Sequence, residues 1–287
     1  MNNLKYFFQF LVIIFLFLIF KIIGRNNATI LSGKILSLIG PYFRSNSLSK
    51  NNLSKSIPNL DEDQKKTIIK NMWNNYGKIL AEYVFMKNFS NPKKFSDFVD
   101  IENKEELDQI KRDSKPVIFV SGHFNNFELM AMCIEKTGID LAAIYRPLNN
   151  KFLNPIMEKL RKKYICKKQI KKGISGTKDL LQNFKKGTSI ALMIDQRVSE
   201  GIRSNFFYQK ALTTTIPAQF VKKFNTGIVP IYIERTNENK FRVKIYKKIN
   251  FSKNETVENI TLKLNKILEK MIIKNPDQWI WTHNRWK

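Results

Sequence analysis

Two histidines occur in 287 residues. One of them, His123, stands in "PVIFVSGHFNNFEL" (residues 116–129), five residues before Glu128. A carboxylate hydrogen-bonded to one imidazole nitrogen fixes the tautomer and stabilises the imidazolium, leaving the other nitrogen to take a proton from a hydroxyl. General-base help of that kind is worth about 10²–10⁴-fold in rate. Spacing sets a condition on the pair. On one continuous helix, five residues separate two side chains by about 140°, so they would not meet. They meet only if His123 sits in a turn and Glu128 in the first turn of the helix that follows. The bland reading stands beside it: Asn125 and Glu128 have capping-box spacing, and His123 is then a solvated turn residue. No G-x-S-x-G nucleophile motif occurs, so direct proton abstraction fits better than an acyl-enzyme.

The elements around this stretch decide whether the geometry is available. Residues 117–120 are apolar and read as a buried strand; Ser121-Gly122 ends it, and Asn125 or Asn126 can cap a helix. Further strands are expected at 141–145, 189–194, 228–233 and 241–246. Helices are expected at 126–136, 155–163, 177–185, 215–224 and 256–274. Alternation of this kind implies an α/β layer fold with a mainly parallel sheet. In such sheets ligands bind beyond the carboxyl ends of the strands. Arg146 and the triplet Asp195, Gln196, Arg197 also follow strands and so join the candidates. Upstream, 61–87 reads as one long helix with acids at its start, 45–58 as a polar, turn-rich linker, and 28–39 as a short helix that either lies on a membrane surface or packs on the body. There is no internal repeat, zinc-finger spacing or Walker loop, and Gly173 and Gly176 are too sparse for a nucleotide fingerprint.

Residues 6–23, "YFFQFLVIIFLFLIFKII", are interrupted only by Gln9 and Lys21. That length meets the minimum for a membrane-spanning helix. A cleaved signal peptide would want a shorter apolar core and small residues at a cleavage site, so an uncleaved single-pass anchor is expected. Lys5 precedes the span; Lys21, Arg25, Lys34 and Arg44 stand at or after its end, which leaves the body cytoplasmic. Cys133 and Cys166 form no C-x-x-C pair and read as reduced thiols, with no zinc site. Lysine and arginine number 50 against 24 acids, a formal charge of +26. Such a balance suits an anionic partner: acidic lipid, a phosphorylated substrate or nucleic acid. The alternative reading is a compositional bias toward Lys, Asn and Ile. A tethered nucleic-acid-binding protein is disfavoured, because no binding module appears and the basic residues are spread along the chain. The run Lys162, Lys163, Lys167, Lys168, Lys171 and Lys172 is either a docking patch or a solvated face.

"GHFNNFE" resembles the H-x4-D/E motif of glycerolipid-type acyltransferases. "YRPLNN" (145–150), "IDQR" (194–197), "LTTTIPA" (212–218), "GIVPIYIER" (227–235) and "PDQWIWTHNRWK" (276–287) are more specifically similar to the late acyltransferases of lipid A biosynthesis. The ordered set covers nearly the whole chain. The resemblance implies an anchor at 1–25, a juxtamembrane stretch at 26–60 and an acyltransferase domain at 61–287. That domain is expected to have a glycerol-phosphate-acyltransferase-like central mixed sheet flanked by helices. The implied reaction moves a fatty acyl chain from acyl carrier protein to a hydroxyl of a lipid A precursor at the bacterial inner membrane, without metal or other cofactor. Another glycolipid or an aminoacyl lipid is the alternative acceptor. His123 would be the base and Glu128 its carboxylate. Arg146, Asp195, Gln196, Arg197, His283 and Arg285 would contact substrate, Arg146 through phosphate. Backbone N–H groups near Gly122–Asn126, or Arg146, are the candidates for holding the oxyanion. The chain departs from the N-H-x-S-x-x-D form of phospholipid acyltransferases: Gly122 precedes the histidine and Asn125 stands where Ser would.

Overall fold

The computed structural model describes residues 2–236 and 240–287; Met1, the first residue of the expected anchor, lies outside the described residues. The strands are β1 (Val99–Glu102), β2 (Ile118–Ser121), β3 (Leu141–Tyr145), β4 (Lys168–Lys171), β5 (Ser189–Met193), β6 (Ile202–Phe206), β7 (Gln209–Thr213), β8 (Ile228–Arg235) and β9 (Phe241–Ile245). Seven form one sheet in the order β1-β9-β8-β2-β5-β3-β4, and β6-β7 form a separate antiparallel hairpin. Every pairing in the large sheet is parallel except β8 with β9. Helices cover it: α1 (Asn2–Phe43), α2 (Asn46–Ser56), α3 (Glu62–Glu82), the short α4 (Met86–Ser90) and α5 (Phe95–Phe98), α6 (Lys104–Asp113), α7 (Glu128–Lys136), α8 (Asn154–Tyr164), α9 (Ile174–Lys185), α10 (Ile216–Phe224) and α11 (Val257–Lys274). This is the mixed α/β layer architecture expected from the alternating pattern. The sheet centre is buried on both faces: all four residues of β2 are buried, and the first seven of β8.

Several elements depart from the sequence reading: β1, β6, β7 and α6 lie outside the expected elements, and the helix expected at 61–87 ends at Glu82. Most of the stretch 45–58 is a helix, not a linker: Ser45 caps α2, its side chain accepting from Leu48 N at 3.4 Å. Its buried face is Ser49, Asn52, Leu53 and Ser56, so it lacks an apolar period. Asn52 Nδ2 donates to the carbonyls of Trp281 (2.8 Å) and His283 (2.9 Å), which fastens α2 to the end of the chain. The basic run at 167–172 contains β4, an edge strand whose single buried residue is Ile170. The long helix starts as expected, with a reciprocal capping box between Asp61 and Gln64.

α1 is long and apolar enough to cross a membrane. It is broken at Gly24, whose φ of 77° lies where only glycine is at ease. Beyond that break it packs on α3 at very close range. A Cβ on Gly77 would lie 2.1 Å from the Ser32 carbonyl oxygen, and one on Gly40 2.2 Å from the Trp73 ring. The expected helix at 28–39 is part of this segment. It does pack on the body, with Ala28, Thr29 and Ser32 buried, while Ile30, Leu31, Leu38 and Ile39 stay exposed.

Candidate active site

Parallel register builds the centre. Ser121 of β2 is paired with Met193 of β5, so the residues two positions further on, His123 and Asp195, emerge side by side at the carboxyl edge. His123 Nδ1 lies 2.8 Å from Asp195 Oδ1, and the His123 backbone N–H donates to Asp195 Oδ2 at 2.8 Å. Trp279 Nε1 donates to the same Oδ2 at 2.9 Å. Asp195 is fully buried. Burial alone pushes its carboxyl up, but the His123 charge and the converging donors hold it down at about 2. For His123, burial disfavours the imidazolium, yet the charge and hydrogen bond of Asp195 outweigh it and hold the pKa above its ordinary 6.5. The ring packs edge-on against Phe127, with centroids 4.8 Å apart, and its side chain is 22% exposed. Nε2 has no hydrogen-bond partner among the described residues. A carboxylate holds Nδ1–H, so Nε2 is left as the accepting nitrogen.

The turn after His123 is internally satisfied. Asn125 adopts a left-handed conformation, φ 41°. Phe124 N donates to Gly122 O (2.8 Å), Asn125 N to Gln278 O (2.8 Å), Asn126 N to Asn125 Oδ1 (2.7 Å) and Phe127 N to Asn125 O (3.0 Å). With His123 N given to Asp195, the backbone donors of 123–126 are engaged, so they form no open oxyanion hole.

Glu128 opens α7 and is buried, but its hydrogen bonds do not go to His123. Its Oε1 accepts from Tyr83 OH at 2.7 Å and Arg161 Nε at 2.7 Å, and lies 2.6 Å from Arg161 Nη2. Placing histidine in the turn and glutamate in the first helical turn is correct. The carboxylate that meets the imidazole is Asp195, because β5 delivers it while α7 aims Glu128 at Tyr83, just past α3, and at Arg161 of α8. The Glu128 charge still reaches His123 and favours the imidazolium, after burial and Asp195; Arg161 opposes it. The capping box is absent too, since Phe127 is the cap residue and Asn125 Oδ1 is occupied by Asn126 N.

A second buried pair lies under the turn. Arg235, at the end of β8, meets Glu82 at 2.5 Å (Nη1–Oε1) and 3.1 Å (Nη2–Oε2). Asn126 Nδ2 donates to Glu82 Oε2 at 2.9 Å. Gln278 Oε1 accepts from Asn125 Nδ2 and Arg235 N, each at 2.8 Å. Buried pairs add little net stability when intact, but they fix register. This one locks α3, β8, the turn and the closing segment to one another.

Across residues 1–287 the chain matches the family model described as bacterial lipid A biosynthesis acyltransferase. The chain belongs to that family. Among curated relatives, it is 22% identical to a lipid A biosynthesis palmitoleoyltransferase of Escherichia coli (strain K12) over 267 residues, which is 90% of this chain and 84% of the relative. A lipid A biosynthesis acyltransferase of Shigella flexneri gives the same figures. An Escherichia coli lipid A biosynthesis lauroyltransferase is 22% identical over 244 residues, 82% of this chain and 77% of that one.

For this acyltransferase the remaining candidates divide. Arg146, just past β3, is exposed and has no hydrogen bond or ion pair among the described residues. Gln196 is half-buried. Arg197 is half-buried as well; its N–H donates to His283 Nε2 at 3.0 Å and its Nε to the Lys287 carbonyl at 3.0 Å. Burial pushes His283 down to about 4. It is therefore a neutral imidazole whose Nε2 accepts, and it serves as a strut for the 194–197 turn. Arg285 is fully buried and donates to Leu212 O (2.5 Å) and Thr213 Oγ1 (2.7 Å), with its guanidinium 4.8 Å from the Phe206 ring centroid. It pins the closing segment to the β6-β7 hairpin and is sealed from any substrate, contrary to the expected contact role. Trp279 and Trp281 are packed edge-to-face at 4.7 Å inside the protein, not at a membrane interface. Sequence reasoning missed Tyr83 and Arg161. Tyr83 lies inside the stretch 61–87 that reads as one long helix, and Arg161 stands among lysines in the helix expected at 155–163.

Proposed function

We propose that the enzyme transfers a fatty acyl group from acyl carrier protein to a hydroxyl of a lipid A precursor, with His123 as the general base. Membership of the family supports the acceptor class. The observation that carries the base assignment is the buried Asp195 carboxylate on Nδ1 of a histidine whose Nε2 is unengaged. Nε2 takes the hydroxyl proton as the oxygen bonds to the thioester carbonyl carbon, and the imidazolium is stabilised by Asp195. The tetrahedral oxyanion then collapses, the carbon–sulfur bond breaks, and the departing thiolate takes the proton from Nε2–H to leave as a thiol. Glu128 acts in this reading by holding Arg161, whose positive charge reaches His123, and cations in that position favour a developing oxyanion. Arg146, exposed at the sheet's carboxyl edge, suits a phosphate of the acceptor. The apolar α1 keeps the enzyme with its lipid at the inner membrane, facing the cytoplasm.

The test is mass spectrometry of lipids from cells with the enzyme, without it, and with His123→Ala. Gain of one acyl mass on a lipid A species, lost in the variant, is expected. Gain on a different lipid would move the acceptor assignment, and gain undiminished by His123→Ala would remove the base assignment. Purified enzyme supplied with acyl carrier protein thioester or the coenzyme A thioester in parallel reports the donor.

A further inference from the structure

The register that brings His123 to Asp195 continues across the sheet. Ala143 of β3 is paired with Ala191 of β5, and Tyr145 of β3 with Lys171 of β4. One residue further on, Arg146 and Lys172 therefore stand opposite each other. The ladder still holds there, since Lys172 N donates to the Tyr145 carbonyl at 2.9 Å. In the strand order β2-β5-β3-β4, Arg146 is two strands from His123 and Lys172 three. At about 4.8 Å per strand, that is about 10 and 15 Å along the carboxyl edge.

Like charges on facing positions of neighbouring strands are destabilising. Both side chains are exposed, and neither has a hydrogen bond or ion pair among the described residues. Lys172 differs in this from its neighbours on β4. Lys168 pairs with Asp140 at 2.6 Å and Lys171 lies 3.8 Å from Glu158. Glu158 is further committed, accepting from Tyr145 OH at 2.7 Å and Asn154 Nδ2 at 2.9 Å. The backbone around Lys172 is held in place by α9: a Cβ on Gly176 would overlap the Lys171 carbonyl oxygen. Lys172 also acts toward the site. After burial, its charge is one of those that disfavour protonation of His283, the residue that braces Arg197 N–H at 3.0 Å. Two adjacent unpaired cations match a doubly charged group. A phosphate monoester carries a charge of about −1.5 to −2 at neutral pH and three acceptor oxygens. That is enough for the arginine fork and the lysine ammonium together, whereas a phosphodiester carries a single charge.

We propose that Lys172 joins Arg146 in binding a phosphate monoester of the lipid acceptor, and that the pair makes the enzyme select phosphorylated over dephosphorylated acceptors. This rests on the acceptor reading given above. It adds a second binding residue and the ionic character of the group bound, and it sets that group about 10–15 Å from the hydroxyl at His123.

The test is steady-state acyl transfer by purified enzyme in detergent, at saturating carrier-protein thioester. The acceptors are a lipid A precursor and the same lipid stripped of its phosphates by phosphatase. Lys172→Met keeps the stem and removes the charge. A hydrogen bond between charged groups is worth about 10–100-fold. Lys172→Met is therefore expected to raise KM for the phosphorylated acceptor by that factor with kcat little changed, and Lys172→Arg to restore it. The dephosphorylated lipid should be a poor acceptor for the wild-type enzyme and no poorer for Lys172→Met. A loss equal on both lipids, or no loss, overturns the proposal; transfer would persist, so the acceptor reading would stand. Absence of transfer to either lipid by the wild-type enzyme would sink that reading and this proposal with it. The donor's phosphodiester is the other source of the same chemistry, and a parallel series with an acyl-pantetheine thioester, which has no phosphate, reports it. A loss that falls on the donor KM and vanishes with that thioester moves the site to the donor and overturns the acceptor assignment.

Discussion

Asp195→Asn removes one charge and almost no volume, and the hydrogen bonds around it dictate how the new amide must sit. His123 N–H and Trp279 Nε1–H both point at Oδ2, so the amide oxygen takes that place. The amide NH2 then faces His123 Nδ1, which must accept. The imidazole proton is forced onto Nε2, the atom that takes the substrate proton in the proposed mechanism. The variant is expected to lose about 10²–10⁴-fold in kcat, the range a general base supplies, with KM little changed. The pKa of His123 moves as well. A hydrogen bond to a charged group is worth about 1.5–3 kcal/mol, which is about one to two pKa units, so residual activity should titrate well below the wild-type midpoint. The assay is acyl transfer by purified enzyme against pH, with nitrogen-detected spectra of the two histidines to report the tautomer. Activity within about 10-fold of wild type, or an unmoved midpoint, would refute the assignment of Asp195. In the wild-type enzyme the base must be neutral, so kcat/KM rises with pH through a midpoint above 6.5. The stability contribution of the same pair has the opposite sense. Because the folded pKa of His123 is raised, that part is complete below 6.5 and lost as pH climbs through the folded value. The share carried by Asp195, whose pKa falls from 3.8 to about 2, is present above 3.8 and lost as pH drops through about 2.

Glu128→Ala strands Arg161 and is expected to destabilise the fold by about 3–5 kcal/mol, read by denaturant unfolding in detergent. Glu128→Leu combined with Arg161→Met should recover most of that stability yet leave acyl transfer impaired; recovered activity would mean the pair is only structural. Gly77→Ala drives a Cβ to 2.1 Å from the Ser32 carbonyl oxygen, so a loss of about 1–3 kcal/mol or more is expected, with faster proteolysis near Gly24. His283→Gln keeps an acceptor for Arg197 N–H and should stay close to wild type. His283→Ala leaves that donor without its partner and should cost about 1–3 kcal/mol, measured by thermal unfolding.

The position of His123 was legible because an apolar run, a Ser-Gly stop and a helix start make a strand end visible in one dimension. Its partner was not. The H-x4-E spacing suggests a local carboxylate, whereas Asp195 is 72 residues away and meets His123 only through the parallel register of β2 and β5. The available signal was that Asp195 directly follows an apolar strand, the same context as His123, and it was read as a substrate contact. Helix α2 escaped notice because its buried face carries one apolar residue, Leu53, among serine and asparagine. Strand β4 escaped because an edge strand with one buried residue reads as a basic run. Arg285 was legible as important but not as structural: nothing in "THNRWK" says that an arginine will be sealed against β7.

The closing segment gives the molecule a built-in order of events. Trp279 clamps Asp195, Gln278 latches the turn beyond His123, and His283 braces Arg197. All three follow every strand of the sheet in chain order. During synthesis the apolar arm emerges first and the sheet next, while the residues that clamp the His123–Asp195 pair come after both. A ribosome-bound intermediate would therefore hold His123 and Asp195 without their clamps, and on the proposed mechanism acyl transfer would begin only once the chain has been carried past Trp279 and His283.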